Sequence, residues 1–475
     1  MEENNCIPSS EHPDFALLER RQEGAICCLV LRNADQAQLK ALASLQVFHA
    51  YQSGGLTALL VCVPDEPDFF GRLEERLASQ GLCAGLSGPF ALPASAHGCM
   101  RKAELALETG KLLAPGRALY PMDEFGEAAL LLAAEAALGR EGYLAQDFCD
   151  RAIEDMRRAD AETGTQYAPS LHAYLSHGLD LRQAAQALGV HRNTLSYRMS
   201  RIQEIFGVDL SDVNTCFELL FSFWLTESMP AGPTGGGASF DAQAAEAALQ
   251  AYIQRRADGY APACAGFDCR LMCVSVSGIM DEDRVKLLRL LRGLAGGAAA
   301  CAFDDDVLLF ALAPERFDAF AKAALPQCRQ KGCRVSLTQA FDASRLVCRA
   351  RLCRMALAAS GAPVVRAQDM ASTLLFMTLE RSFSLAPYLC EDVIRVMDDD
   401  AQRGAALSRS LYAYLLNFRD MKRAAQQLGM HRNTMEYHMR KIDALIGKPA
   451  GEKQRFLMMC TYKMLALPDA QRMIL

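Results

Sequence analysis

The chain has 475 residues, 51% of them apolar and 22% charged, with a net charge of −6. That length exceeds one ordinary core and calls for several domains, and the balance is that of a globular protein. The acidic total excludes a polybasic nucleic-acid binder but leaves room for a local basic face. No stretch is long and uncharged enough to span a bilayer: the most apolar run, Ala128–Leu138, is short and carries Glu135.

Residues 1–20 are acidic and polar and read as a flexible N-terminus. They lack the basic start and apolar core of a secretory signal, so a cytoplasmic location is expected. The 18 cysteines are scattered through apolar runs such as AICCLVL. The pairs Cys269/Cys273, Cys328/Cys333 and Cys348/Cys353 do not have the C-x2-C spacing of a zinc site. They are expected to be reduced, buried thiols. Neither a metal nor a cofactor is expected.

Residues 21–122 read as a first sheet domain. AICCLVLR (Ala25–Arg32) is a strand, and a helical stretch runs to about Ser44. Two strands flank Ser53-Gly54-Gly55, a helix covers Asp68–Gln80, a short strand lies near Leu82–Leu86, and a helix spans Ala96–Leu113. The order β-α-β-β-α-β followed by a helix suits an α+β sheet of ferredoxin-like kind with helices on one face. A helical connector (123–165, helical through Asp123–Arg158) leads to a first helix-turn-helix domain at 166–225.

Within that domain Ala184, Ala185 and Leu188 give a small-residue crossing face, Gly189 ends the helix and Val190 plugs the turn. Leu195, Met199, Ile202 and Phe206 then form the apolar stripe of a second helix. Arg192, Asn193, Thr194, Ser196, Tyr197 and Arg201 point away from that stripe. The start of such a helix enters the major groove. There arginine reads guanine, asparagine reads adenine, and threonine meets phosphate or a thymine methyl. Arg201, further along, suits phosphate. His191 reads as a helix-start residue, not a ligand.

TESMPAGPTGGGASF (226–240) is a Gly/Pro linker, and the pattern then recurs. Residues 241–367 form a second sheet domain, with a strand at Leu271–Ser277, a helix in DEDRVKLLRLLRGL and a polar hairpin turn at Asp304-Asp305-Asp306. A helix ends near Gln330, CRVSLT is a strand, and a helix follows through Arg345–Ala359. A second connector (368–405, helical through Gln368–Met397) precedes a second helix-turn-helix domain at 406–470. Leu411–Gly447 aligns with Leu171–Gly207 without a gap at a constant offset of 240 residues, and about half the positions are identical. Its packing residues are Ala424, Ala425, Leu428, Gly429, Met435, Met439, Ile442 and Ile446. Its outward residues are Arg432, Asn433, Thr434, Glu436, Tyr437 and Lys441. Local charge agrees: Arg419–Lys441 holds six basic residues against two acids, and Asp180–Arg201 four against one. A small helical bundle with a basic solvated face would show the same packing, but packing does not demand that the surface residues H-R-N-T recur.

The string A-A-x-x-L-G-[VM]-H-R-N-T-[LM]-x-Y-[RH]-M-x-[RK]-I resembles the C-terminal helix-turn-helix of the bacterial PucR-type regulators of purine catabolism and sugar diacids, related to the Fis-like fold. The resemblance implies a degenerate diguanylate-cyclase-like (GGDEF-like) domain upstream, compatible with both sheet domains. Family members usually carry the motif once; this chain carries it twice and shows no separate sensor domain. A working cyclase needs Gly-Gly-Asp/Glu-Glu-Phe on its hairpin. Gly54-Gly55 is followed by Leu56-Thr57, and the aspartate triplet has no glycine pair, so no enzyme activity is expected.

The expected fold class is therefore α+β, in two tandem units of sheet domain, connector and helix-turn-helix. The expected function is sequence-specific transcription regulation, with two recognition helices acting as a pseudo-dimer on unequal half-sites. The copies differ at Ser196 against Glu436 and Arg198 against His438, positions read as facing DNA. The alternative is a ligand-binding or interaction protein in which only one copy reads DNA. The expected partner is double-stranded DNA and not a membrane; the sequence leaves open a small-molecule effector and homodimerisation.

Overall fold

The computed structural model describes residues 25–42, 46–53, 55–64, 66, 68–88, 96–229, 239–254, 266–296, 299–448 and 451–467. The expected flexible start and positions 230–238 of the linker lie outside the described residues.

The first half runs β1 (Ala25–Arg32), α1 (Gln36–Ala41), β2 (Gln46–Ser53), β3 (Leu56–Val63), α2 (Phe69–Ser79), β4 (Ala84–Leu86), α3 (Ala96–Leu113) and β5 (Leu119–Pro121). Strand order is β2-β3-β1-β4-β5. The first four strands are therefore ordered as in a ferredoxin-like sheet, and β5 adds parallel to β4. β1 is apolar at nearly every position because it is central and both its faces are covered. Cys27, Leu29 and Leu31 pack with Leu73 and Leu77 of α2. Ile26, Cys28 and Val30 pack with Cys99, Ala103 and Leu107 of α3. The expectation of helices on one face is thus corrected, since α3 takes the opposite face. It lies so close that a Cβ on Gly85 would sit 1.9 Å from the Ala103 carbonyl oxygen, an approach that only glycine permits.

The connector is not one helix. α4 (Met122–Glu141) ends before a 3-10 turn at Ala145–Phe148, and α5 (Arg151–Thr163) starts afresh with Asp150 as its cap. Then come α6 (Tyr167–Ser176), α7 (Leu181–Ala187), α8 (Arg192–Phe206) and α9 (Val213–Ser228). α9 takes in Thr226–Ser228, the first residues expected as linker.

The second half repeats the order after an added helix. It comprises α10 (Ala242–Ile253), β6 (Asp268–Ser275), α11 (Asp281–Ala295), β7 (Ala300–Phe303), β8 (Val307–Leu312), α12 (Pro314–Gln330), β9 (Arg334–Leu337), β10 (Phe341–Asp342), α13 (Leu346–Ala359) and β11 (Val364–Arg366). Strand order is β11-β9-β6-β8-β7, with β10 also pairing with β6. α11 and α12 cover one face, α10 and α13 the other. The aspartate triplet is a hairpin turn in which Asp304 Oδ1 accepts from the Asp306 and Val307 amides. The remaining helices are α14 (Ala371–Glu380), α15 (Glu391–Arg403), α16 (Leu407–Leu416), α17 (Met421–Gln427), α18 (Arg432–Ile446) and α19 (Glu452–Leu465). The architecture is α+β, with both sheets and both helix-turn-helix regions present.

Compactness does not follow chain order. Among the described residues, one compact unit gathers those within 25–134, 383–412 and 428–467; the other gathers those within 135–382 and 413–427. Within the first, Lys102 of α3 donates to the Leu389 carbonyl at 3.1 Å and pairs with Glu391 of α15. Within the second, the fully buried Asp147 carboxylate accepts from Arg345 Nε at 3.1 Å, with Arg349 also beside it. Arg151 pairs with Asp268 at 2.6 Å. Glu218 of α9, also buried, takes the amide and hydroxyl of Ser372 at 2.8 and 2.7 Å. Each sheet is therefore seated on helices from the other half, with buried charges satisfied by partners remote in sequence. Such groups are costly once a partner is removed.

Candidate nucleic-acid interface

Each helix-turn-helix is set by its caps. Asp180 accepts from the Arg182 and Gln183 amides at 2.7 and 3.2 Å, starting α7. The Gln183 and Arg182 N–H groups hold its carboxyl below the usual range. Asp420 does the same with Lys422 and Arg423 at 2.9 and 3.0 Å, starting α17. Gly189 and Gly429 follow these helices at φ +65° and +64°, a left-handed turn that glycine makes without strain. The recognition helices then begin at histidine: Nδ1 of His191 accepts from the Asn193 amide at 3.2 Å, and His431 does the same for Asn433. Both histidines are caps.

Packing holds the second helices by their apolar stripes. Ala184, Ala185, Leu195, Met199 and Ile202 are buried in one copy, and Ala424, Ala425, Met435, Met439 and Ile442 in the other. The first copy shares its core with α5 and α9 through Ile153, Met156, Cys216 and Phe223.

The residues left outward are the ones expected to read DNA. Arg192, Asn193, Thr194, Ser196 and Tyr197 are exposed, and Arg201 is half-buried and paired with Glu204. Arg432, Asn433, Thr434, Tyr437 and Lys441 are exposed, with Glu436 half-buried. Tyr197 is 66% exposed and Tyr437 50%; packing does not account for aromatic rings left in water. Arg192 makes no ion pair with a described carboxylate, whereas Arg432 Nε lies 2.9 Å from Glu436 Oε1. The Lys441 ammonium sits 4.8 Å from the Tyr437 ring centroid.

One expected difference between the heads is not a reading difference. Arg198 Nη1 donates to Ser170 Oγ at 2.9 Å, and His438 Nδ1 lies 2.7 Å from Ser410 Oγ. Both serines are buried. The position therefore joins the recognition helix to the preceding bundle in both copies. Sequence reading also passed over Arg182, Lys422 and Arg423, exposed in the first turns of α7 and α17, the place from which such a helix meets the phosphate backbone. The basic charge of these windows was the available signal.

Equivalent turns meet within the second compact unit. A Cβ on Gly178 would lie 3.1 Å from the Phe418 carbonyl oxygen and 3.2 Å from the Arg419 guanidinium. Phe418 also packs on the core of the first helix-turn-helix. Gly178 and Leu179 have positive φ, and so do Phe418 and Arg419, their counterparts 240 residues on.

Elsewhere, among the described residues, no group of three or more His, Cys, Asp or Glu could hold a metal. Burial pushes the thiols of Cys27, Cys28 and Cys216 up to about 12, as expected of inert core cysteines. No helix among the described residues is long and apolar enough to cross a membrane.

Comparison with known proteins agrees with this geometry. The PucR C-terminal helix-turn-helix domain matches at residues 167–225 and again at 407–459. The chain is 34% identical over 70 residues to the proline-responsive transcriptional activator PutR of Bacillus subtilis (strain 168), covering 15% of this chain and 17% of that protein. It is 42% identical over 57 residues to the transcriptional activator PmfR of Paenarthrobacter nicotinovorans, 12% of each. It is 31% identical over 135 residues to a Thermomonospora curvata protein encoded in the pkwA 5′ region, covering 25% of this chain and 74% of that protein. The chain thus spans under a fifth of the two activators and about three-quarters of the third relative. It belongs to the family that carries the PucR C-terminal helix-turn-helix domain, and it holds that domain twice.

Proposed function

We propose that the chain regulates transcription by reading two unequal half-sites with its two recognition helices, as a pseudo-dimer within one polypeptide. The observation that carries this reading is the doubled head: two capped, packed helices, each presenting Arg-Asn-Thr and a tyrosine to solvent. The meeting of Gly178 with Phe418 supports it, because a pseudo-twofold arrangement brings corresponding positions together. Recognition helices of ordinary dimers lie about 34 Å apart on one face of duplex DNA. The two sites differ because Ser196 is neutral, while Glu436 repels phosphate and accepts from cytosine. In this reading the chain acts on double-stranded DNA in the cytoplasm, is not an enzyme, and keeps the sheet domains 21–122 and 241–367 as its scaffold.

Selection from a random DNA pool is expected to return a composite site with dissimilar halves; a perfect palindrome would sink the pseudo-dimer. On the selected site, Arg192→Ala and Arg432→Ala are each expected to cost about 1–3 kcal/mol. One observation favours a second reading, with a single working head: Glu436 already satisfies Arg432 within its own helix. Loss from Arg192→Ala alone would establish that reading instead.

A further inference from the structure

Four arginines line a cavity of about 660 Å³ in the second compact unit, and no residue of either recognition helix is part of its wall. Arg351 and Arg354 come from α13, Arg140 from the end of α4, and Arg381 from just beyond α14. Arg140 and Arg381 are exposed, the other two half-buried. Arg354 is held by Asp304 at 3.0 Å. Arg140, Arg351 and Arg381 make no ion pair with a described carboxylate; Arg351 reaches only the Glu141 carbonyl, at 3.4 Å. Glu141 is the one acidic residue on the wall, so the four arginines keep a surplus of positive charge even after Asp304 and Asp306, both beside Arg354, are counted.

Two tyrosines give this charge a polar floor. Tyr143 is buried, and burial pushes its phenol up, with the Arg351 and Arg381 charges near enough to oppose the shift. The Arg354 guanidinium lies 6.0 Å from the Tyr252 ring centroid, and its charge opposes the burial that pushes the Tyr252 phenol up. Guanidinium groups are planar forks that take phosphate or carboxylate oxygens two at a time. Several of them on a concave wall beside phenol donors form a receptor for a compact polyanion. Like charges lining one cavity repel, and an anion bound among them relieves that repulsion. The concavity also favours a small molecule over the convex backbone of a duplex.

We propose that this cavity binds a small molecule bearing at least two oxyanion charges, such as a phosphate ester or a dicarboxylate. The site goes beyond the DNA reading and does not depend on it. Titration calorimetry of the full chain at physiological salt, with pyrophosphate in one arm and succinate in the other, tests it. Saturable single-site binding of either probe is expected, and the arm that responds tells phosphate from carboxylate chemistry. Arg140→Ala and Arg381→Ala, both exposed and neither ion-paired with a described carboxylate, should each weaken that binding about tenfold. Arg192→Ala should leave it unchanged, which separates failure here from failure of the recognition helices. No saturable heat from either probe, or binding indifferent to Arg140→Ala and Arg381→Ala, would overturn the proposal. So would loss of DNA affinity in those two variants without any probe binding, which would make the arginines a duplex contact.

Discussion

The two helix-turn-helix copies share their frame and differ on their faces. Asp180 and Asp420, His191 and His431, the alanine pairs and the buried stripes occupy the same places with the same bonds. Even where the chemistry changed, from Arg198 to His438, the side chain still reaches the same buried serine of the preceding helix. Ser196 and Glu436, by contrast, have no common partner, and Glu436 turns to Arg432. The comparison separates what the fold demands from what the surface is free to change. A changed residue on a recognition helix is evidence of changed reading only where no packed partner constrains it.

The largest expected effects break the shared frame. Ala184→Leu and Ala424→Leu replace buried residues at the helix crossings and should each cost about 1–3 kcal/mol through overpacking. Chemical denaturation of the full chain measures it, and equal costs in both copies are expected. Next come the caps. His191→Ala and His431→Ala should each lose about 0.5–2 kcal/mol, read as amide exchange at the start of α8 and α18; full retention in one copy would mean that the frames differ after all. Glu436→Ser then frees Arg432. It should cost only about 0.3–0.5 kcal/mol of helix stability while shifting the preference of the second half-site towards that of the first, read by repeating the DNA selection.

A still smaller effect is pH-dependent and specific to a cap. The Asp180 carboxyl is held low by backbone N–H groups, so its contribution is present above the unfolded value of about 3.9 and lost as pH falls through the lower folded one. Asp180→Asn, which still accepts at the cap, should flatten that acid limb of the melting curve. The smallest expected effect is in Arg198→His and His438→Arg. Each should leave the DNA preference unaltered, because both side chains face the bundle; a changed preference would return that position to the reading surface.

Much of this was legible in the sequence for a physical reason: it rests on short-range periodicity. The Ala184–Leu188 crossing, the glycine stop and the Leu195 stripe are local patterns, and α3 was placed at Ala96–Leu113 from its own residues. The succession β-α-β-β-α-β in both halves also followed from local signals, though β5, α10, β10 and β11 did not, and so did the outward residues of α8 and α18. What could not be read depends on distant partners. Nothing near Arg198 points to Ser170, and nothing near Asp147 points to Arg345, 198 residues away. The second cover on the first sheet had its signal in β1, whose apolar run is broken only at Arg32, since a strand with one solvated face alternates. The arginine-lined cavity is assembled from four separate segments and has no sequence signature.

The seating of each sheet on helices from the other half has a consequence for how the protein is made. The Lys102 ammonium and the Leu389 carbonyl that receives it are separated by 287 residues. At ribosomal rates of about 5–20 residues per second, the first leaves the tunnel roughly 15–60 s before the second. During that interval the first sheet exposes the surface meant for the second connector, and the N-terminal half of a nascent chain is unfinished however long it waits. Truncated translation products would therefore be unfinished molecules and not single-headed regulators. The duplication that gives the chain two heads also makes neither half complete without the other.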